Sequence, residues 1–471
     1  MRANKENVTC HVMLLPDKNK AKFGNLFKEF VLVGKNIPEE EHESKFIHKG
    51  MIYISIFIQI VLKHLSKPLK IFQHFLEDSL NYGVTQRDSE KYYTLLGCLD
   101  PRLDLDKTLK RGDSKYYPSL AMMASKLAYE NKAVINAAIT NHWKMEFLEF
   151  YNFYNEFQHK CTTQAFLCRE KNSDGDVIVV AFRGTSMFVA EDWSTDFDFS
   201  WVKIDGMGKG HMGFMMALGL NKFSKNHDDY LGDFSGSWPK KMDHNPQQPL
   251  AYYTIREKLK EMIANSNKNT KFIVTGHSLG GALAILFPAI LALHGEEELL
   301  NRLEAVYTFG QPRVGDAEFG HFVKDNLRKY DIKYYRIVYG YDIVPWVPLD
   351  NTMMTFKHFG RCIRFNCLYH GKIIEEEEEQ DPNIIFWLIK GFILTLINFI
   401  VARVSAVYEL VRGFSIGFTR GPDYREGWTL TCLRIIGIFS SSFINHFPQD
   451  YVNSTMLASK DLFKHCPKLP N

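Results

Sequence analysis

The sequence predicts an α/β architecture, with helices covering both faces of a mostly parallel sheet, plus a helical N-terminal region and a late hydrophobic insertion. Three observations predict it. Val177–Phe182 (VIVVAF), Lys271–Thr275 (KFIVT), Ala305–Phe309 (AVYTF) and Tyr334–Val338 (YYRIV) are short runs rich in β-branched and aromatic residues; strands buried on both faces read this way. Helix-length segments lie between them, notably Pro249–Ser266 and Leu279–His294, and strand–helix alternation supplies the crossovers that parallel strands require. The chain has 471 residues, enough for a large core with additions.

Composition narrows the function. Hydrophobic residues make up 45% and charged residues 24%, with a net charge of +3; this is globular composition without the basic footprint of a nucleic-acid binder. The eight cysteines are scattered without a CxxC pair, so neither a zinc site nor a disulfide framework is expected. Met1–Lys35 is polar and lysine-rich with no leading apolar core, so a cytosol-facing chain with reduced thiols is expected. The sequons at Asn7 and Asn453 therefore carry no weight.

Along the chain, residues 1–115 form an N-terminal region whose apolar segment, 51–65, begins with Met51–Leu62 (MIYISIFIQIVL) and is followed by basic residues. That run is shorter than the ~20 residues a spanning helix needs; it is either a buried core helix or an interfacial one. Residues 116–471 form the α/β domain, strand-like from about Gln164, with an acidic and hydrophobic insertion at about 371–430. Five glutamates, Glu375–Glu379, read as a solvated loop, and His358–Phe365 reads as a further strand.

The chemistry starts at Gly276-His277-Ser278-Leu279-Gly280. G-x-S-x-G alone is weak, but here it follows KFIVT and precedes the helix-like ALAILFPAI, the strand–turn–helix setting of a nucleophile elbow in the α/β-hydrolase fold. A serine hydroxyl needs a histidine to take its proton and an acid to orient that histidine. The acid follows the serine in this fold, and Asp342 comes directly after a strand-like run and before Ile343-Val344-Pro345; Asp316 and Asp350 follow no apolar run and rank behind it. For the base, His358, His370, His446 and His465 all remain after Asp342, and position on a loop past the last helical segment favours His446. The oxyanion hole calls for two N–H groups, for which Leu279 and Thr185 are candidates, the latter in the glycine turn after VIVVAF. Ser186–Trp193 reads equally as a lid helix or a plain surface helix.

FRGT (Phe182–Thr185), HMGF (His211–Phe214), GHSLGGA (Gly276–Ala282) and TFGQPRVGD (Thr308–Asp316), in this order and spacing, resemble the class 3, or fungal-type, lipases. LLGCLDPRLDLD (Leu95–Asp106), DWSTDFDFSW (Asp192–Trp201), GPDYREGW (Gly421–Trp428) and NHFPQDYVNS (Asn445–Ser454) resemble the narrower group of plant oil-body triacylglycerol lipases. The resemblance implies Ser278 as nucleophile, Asp342 as acid, His446 as base, Thr185 and Leu279 as the oxyanion hole, and a lid beginning near Ser186. It implies hydrolysis of triacylglycerol or a related acyl lipid through an acyl-enzyme, with no metal or organic cofactor. A phospholipase or galactolipase would use the same triad; a catalytically silent scaffold and a droplet-coating protein are the non-enzymatic alternatives.

The triad constrains topology. Ile384–Ala402 is long enough to cross a bilayer, interrupted by Lys390 and Asn398, yet it lies between Asp342 and His446. One crossing there would separate acid from base. The expectation is therefore one-sided attachment to a lipid droplet or membrane, facing the cytosol.

Overall fold

The computed structural model describes residues 10–11, 66–155, 158, 160–185, 201–220, 240–241, 247–348, 356–374, 384–439 and 441–464, with 384–399 described as helical backbone only. Met51–Leu62, Ser186–Trp193, Asp350, Glu375–Glu379 and His465 lie outside the described residues.

The central sheet is built from β1 (Glu146–Asn155), β2 (Lys160–Glu170), β3 (Val177–Phe182), β4 (Lys271–His277), β5 (Leu303–Phe309), β6 (Lys333–Tyr339), β7 (Cys362–Phe365) and β8 (Gly371–Ile374), which lie side by side in chain order. β3 through β7 run parallel. β1 and β2 extend one edge antiparallel, and β8 closes the other edge as an antiparallel hairpin with β7. The α/β expectation holds: Val177–Phe182 keeps its expected bounds, and the other three predicted strands lengthen by one or two residues where the ladder continues. His358–Phe365 is the exception. Only Cys362–Phe365 is extended; Gly360 takes φ +73° and turns the chain, and His358 lies in the preceding loop.

Every residue of β3 is buried, and its alternation splits them between two cores. Ile178, Val180 and Phe182 face α2 (Ala251–Ala264), α3 (Leu279–Leu293) and α4 (Ala317–Lys329). Val177, Val179 and Ala181 face α1 (Tyr116–Leu127) and α7 (Pro448–Leu457). A period of two in a sheet covered on both sides requires apolar residues at both parities.

Residues 66–80 are helical, and after them Leu95, Leu96 and Leu99 share a small core with Tyr129, Leu430, Ile444 and Phe447. Across the expected boundary at 115/116, Lys115 Nζ donates to the Met456 carbonyl. The insertion forms α5, a single helix from Ile384 to Arg420, followed by α6 (Trp428–Gly437). Among the described residues no helix is long and apolar enough to cross a membrane. Over its described side chains α5 is inverted relative to a surface helix. Glu409 and Arg412 are buried, whereas Val404, Val411, Phe414 and Phe418 are 59–91% exposed. Asn453, one of the two sequons, is fully buried and bonded through both amide atoms to Arg102 and Tyr369.

Candidate active site

The site is assembled at the carboxyl ends of β4, β5 and β6, where an open parallel sheet leaves room between strand ends and helix starts. β4 runs straight into α3 with one residue between them, Ser278, at φ 59° and ψ −131°. A side chain held in that region costs about 1–3 kcal/mol, and the neighbours that enforce it are identifiable. A Cβ on Gly276 would sit 2.1 Å from the Gly280 carbonyl, and one on Gly280 would sit 2.3 Å from the Phe182 carbonyl. The helix thus starts in contact with the strand ends, and Ser278 N–H donates to the Phe309 carbonyl at 2.8 Å.

Asp342 follows β6 after a turn through Gly340 and Tyr341, and His446 lies in the loop ahead of α7. The structure brings both to Ser278. Nε2 of His446 is 2.8 Å from Ser278 Oγ, and Nδ1 is 2.7 Å from Asp342 Oδ2. With Asp342 ionised, the Nδ1 proton donates to the carboxylate and Nε2 is left to accept from the serine hydroxyl. Asp342 is fully buried, and its other oxygen accepts from Val344 N–H at 2.9 Å. The other candidates are elsewhere. Asp316 caps α4 through Phe319 N–H, His358 Nε2 bonds the Pro345 carbonyl at 2.6 Å, and His370 is exposed in the β7–β8 turn.

Thr185 is buried, and the glycine before it explains how the chain comes so close. A Cβ on Gly184 would lie 2.4 Å from the His277 carbonyl and 3.0 Å from Ser278 Cβ. Leu279 is the first residue of α3, where the helix dipole presents its positive end. The lid expected from Ser186 lies outside the described residues.

Several residues to which the sequence assigns no role at the site surround the three. Tyr451, on the first turn of α7, donates its hydroxyl to Asp342 Oδ2 at 2.5 Å and accepts from Tyr339 N–H. Burial and the adjacent Asp342 push its hydroxyl pKa well above the usual tyrosine range, so it remains a donor. Gly310 has φ +57°, and a Cβ there would lie within 3.0 Å of Asp342 Oδ2, Tyr451 Oη and His446 Cε1. The His277 ring lies 4.6 Å from that of His446, centroid to centroid, with Nδ1 2.8 Å from Tyr129 Oη. His277, Gly310 and Tyr451 all stand inside motifs quoted above, but nothing in spacing distinguishes Tyr451 from a core tyrosine.

Burial, then proximity to His446, lowers the His277 pKa well below 6.5; burial, with Arg336 and Arg313 nearby, does the same to His358. The unfolded chain therefore binds protons below pH 6.5 that the folded chain does not. Stability from these rings is complete above that pH and falls on its acid side, on the order of 1 kcal/mol per pH unit for each ring. Urea midpoints measured from pH 8 to pH 5 are expected to decline below about 6.5; His277→Gln and His358→Gln should each flatten the decline, and an unchanged slope would contradict the assignment.

A strained serine between strand and helix, joined through a buried imidazole to a buried carboxylate, defines the class: an α/β-hydrolase fold carrying a serine hydrolase constellation. The profile of the lipase (class 3) family matches residues 179–352. Three plant proteins named triacylglycerol lipase OBL1 are similar over most of their length: that of Nicotiana tabacum at 36% identity over 87% of this chain and 83% of its own, that of Arabidopsis thaliana at 36% over 89% and 86%, and that of Ricinus communis at 33% over 97% and 96%. The chain belongs to the class 3 lipase family.

Proposed function

We propose that this protein is a serine lipase that hydrolyses the ester bonds of triacylglycerol, and of di- or monoacylglycerol, at a lipid droplet or membrane surface facing the cytosol. The observation that carries the reading is the continuous bonding of Ser278 Oγ, His446 and Asp342. In the proposed reaction His446 Nε2 takes the Ser278 proton as Oγ attacks the ester carbonyl. The backbone N–H groups of Leu279 and Thr185 hold the oxyanion, and the imidazolium is stabilised by Asp342. The imidazolium then protonates the departing alcohol, and a water activated by the same ring hydrolyses the acyl-enzyme. No step calls on a metal or organic cofactor.

The glycerolipid substrate is supported by the names of the plant relatives. The lipid surface is supported by the inverted α5, together with α6 and the turn after it, where Trp428, Ile436 and Phe439 are 58–80% exposed. Ile343 and Trp346, in the turn directly after Asp342, are also exposed. Apolar area left in water on this scale marks a surface that meets another apolar phase. Cys98, Cys161, Cys168, Cys362, Cys367 and Cys432 are all free thiols, which supports a cytosol-facing placement.

The test is fatty-acid release from emulsified triacylglycerol against phospholipid and galactolipid vesicles, with Ser278→Ala as control. Release from the emulsion that exceeds release from the vesicles and disappears in the variant is expected. Preferential hydrolysis of the polar lipids would replace the substrate assignment with a phospholipase or galactolipase one.

A further inference from the structure

We propose that Glu409, on the inner face of α5, is a positioning residue for the catalytic base, acting through the side chain of Asn445; the inference rests on the serine lipase reading above. Asn445 immediately precedes His446, and Tyr341 immediately precedes Asp342. Asn445 Oδ1 accepts from Tyr341 N–H at 2.9 Å, while its Nδ2 donates to both Glu409 carboxylate oxygens, at 3.1 and 2.9 Å. One amide therefore bridges the segment that carries the acid to the segment that carries the base.

The amide has two orientations, and only one makes these bonds. Turned over, its NH2 group would face the Tyr341 N–H and its oxygen would face the carboxylate, setting donor against donor and acceptor against acceptor. Glu409 selects the productive orientation. The carboxylate is itself fixed by Tyr339 Oη at 3.0 Å, with Arg434 Nη1 at 3.8 Å, and Tyr339 Oη in turn accepts from Arg412 Nη1 at 2.9 Å. The amide sits tightly against the turn it holds: a Cβ on Gly340, at φ +50°, would lie 2.7 Å from Asn445 Oδ1.

Neither residue bonds Ser278, and both are buried, Glu409 at 2% exposure and Asn445 at 1%. Apolar packing holds a helix as well as a buried carboxylate does. What the carboxylate adds is a fixed acceptor for one specific amide. Because Val404, Val407 and Val411 of the same helix are exposed, the element assigned above to the lipid surface is hydrogen-bonded directly to the loop of the catalytic histidine.

The test compares full-length wild type, Glu409→Gln, Asn445→Asp and the double variant in two assays: the rate of labelling by a fluorophosphonate, and kcat and KM on a water-soluble short-chain ester. In Glu409→Gln a donor meets the Asn445 NH2 group, and in Asn445→Asp a second carboxylate meets Glu409. In the double variant the amide introduced on α5 donates to one oxygen of the carboxylate introduced beside His446, while the other oxygen accepts from Tyr341 N–H. Each single variant is expected to lose about ten- to hundred-fold in labelling rate and kcat with KM unchanged, a loss typical of a displaced catalytic group. The double variant is expected to recover most of that loss. A wild-type rate in Glu409→Gln, or a double variant no faster than either single, would overturn the proposal. Should Glu409→Gln not fold, the double variant against Asn445→Asp alone decides by the same criterion. Absence of labelling in the wild type would overturn the lipase reading itself, and this inference with it.

Discussion

Ser278→Ala is expected to lower kcat for ester hydrolysis by about 10⁴- to 10⁶-fold while the protein remains folded. The size follows from how the three side chains act as a unit. Without the hydroxyl there is no acyl-enzyme, and His446 and Asp342 can assist only the direct attack of water, so the loss approaches that of removing the whole constellation. The residual rate is what oxyanion donors and substrate binding supply without a nucleophile. The fold is expected to survive because the substitution deletes one hydrogen bond, to His446 Nε2, and leaves the Cβ in place. The strain at φ 59° is imposed by Gly276, Gly280 and their neighbours and is the same for alanine.

The second large effect is on stability. Arg434, with 1% of its side chain exposed, donates Nε and Nη2 to the two oxygens of Glu426 at 2.5 and 2.6 Å, and bonds Asp450 at 3.0 Å. Asp450 is further held by Arg412 at 2.9 Å and Tyr369 at 2.7 Å. Three carboxylates, Glu409, Glu426 and Asp450, and two guanidinium groups are thus buried where α5, α6 and α7 meet. Arg434→Ala leaves Glu426 without its bidentate partner and Asp450 short of one, and is expected to destabilise the protein by about 3–5 kcal/mol. Guanidinium-induced unfolding measures it; a loss below about 1 kcal/mol would mean that water reaches the cluster. Because Asp450 neighbours Tyr451, which bonds Asp342, activity should fall along with stability.

The elements of the proposed triad are legible in the chain because their chemistry leaves local signatures. Ser278 is framed by glycines that the strand–helix contact requires, and Asp342 follows a strand-like run. His446 was the least local of the three. Four histidines satisfy chain order, and only loop position and the resemblance of Asn445–Ser454 to a family segment favour His446. Other features were hidden for physical reasons. The edge strand Glu146–Asn155 (EFLEFYNFYN) carries Glu146, Glu149 and Asn152 on positions open to solvent, so it lacks the continuous apolar run that marks the central strands. Glu409 and Arg412 read as ordinary solvated charges on a helix, the default for such residues. Their burial becomes visible only once Asn445, Tyr339 and Asp450, distant in sequence or on other elements, are brought against them. The roles of Tyr451 and Gly310 likewise arise from side chains that meet only in three dimensions.

The most direct measurement is peptide mass spectrometry of the full-length protein after reaction with a fluorophosphonate, performed in parallel on the His446→Ala variant. A single covalent phosphonyl adduct on the peptide containing Ser278, formed in the wild type and lost or greatly slowed without the imidazole, is the predicted result. An adduct on a different serine, or labelling of Ser278 at the same rate in His446→Ala, would contradict the claim that this imidazole activates this hydroxyl.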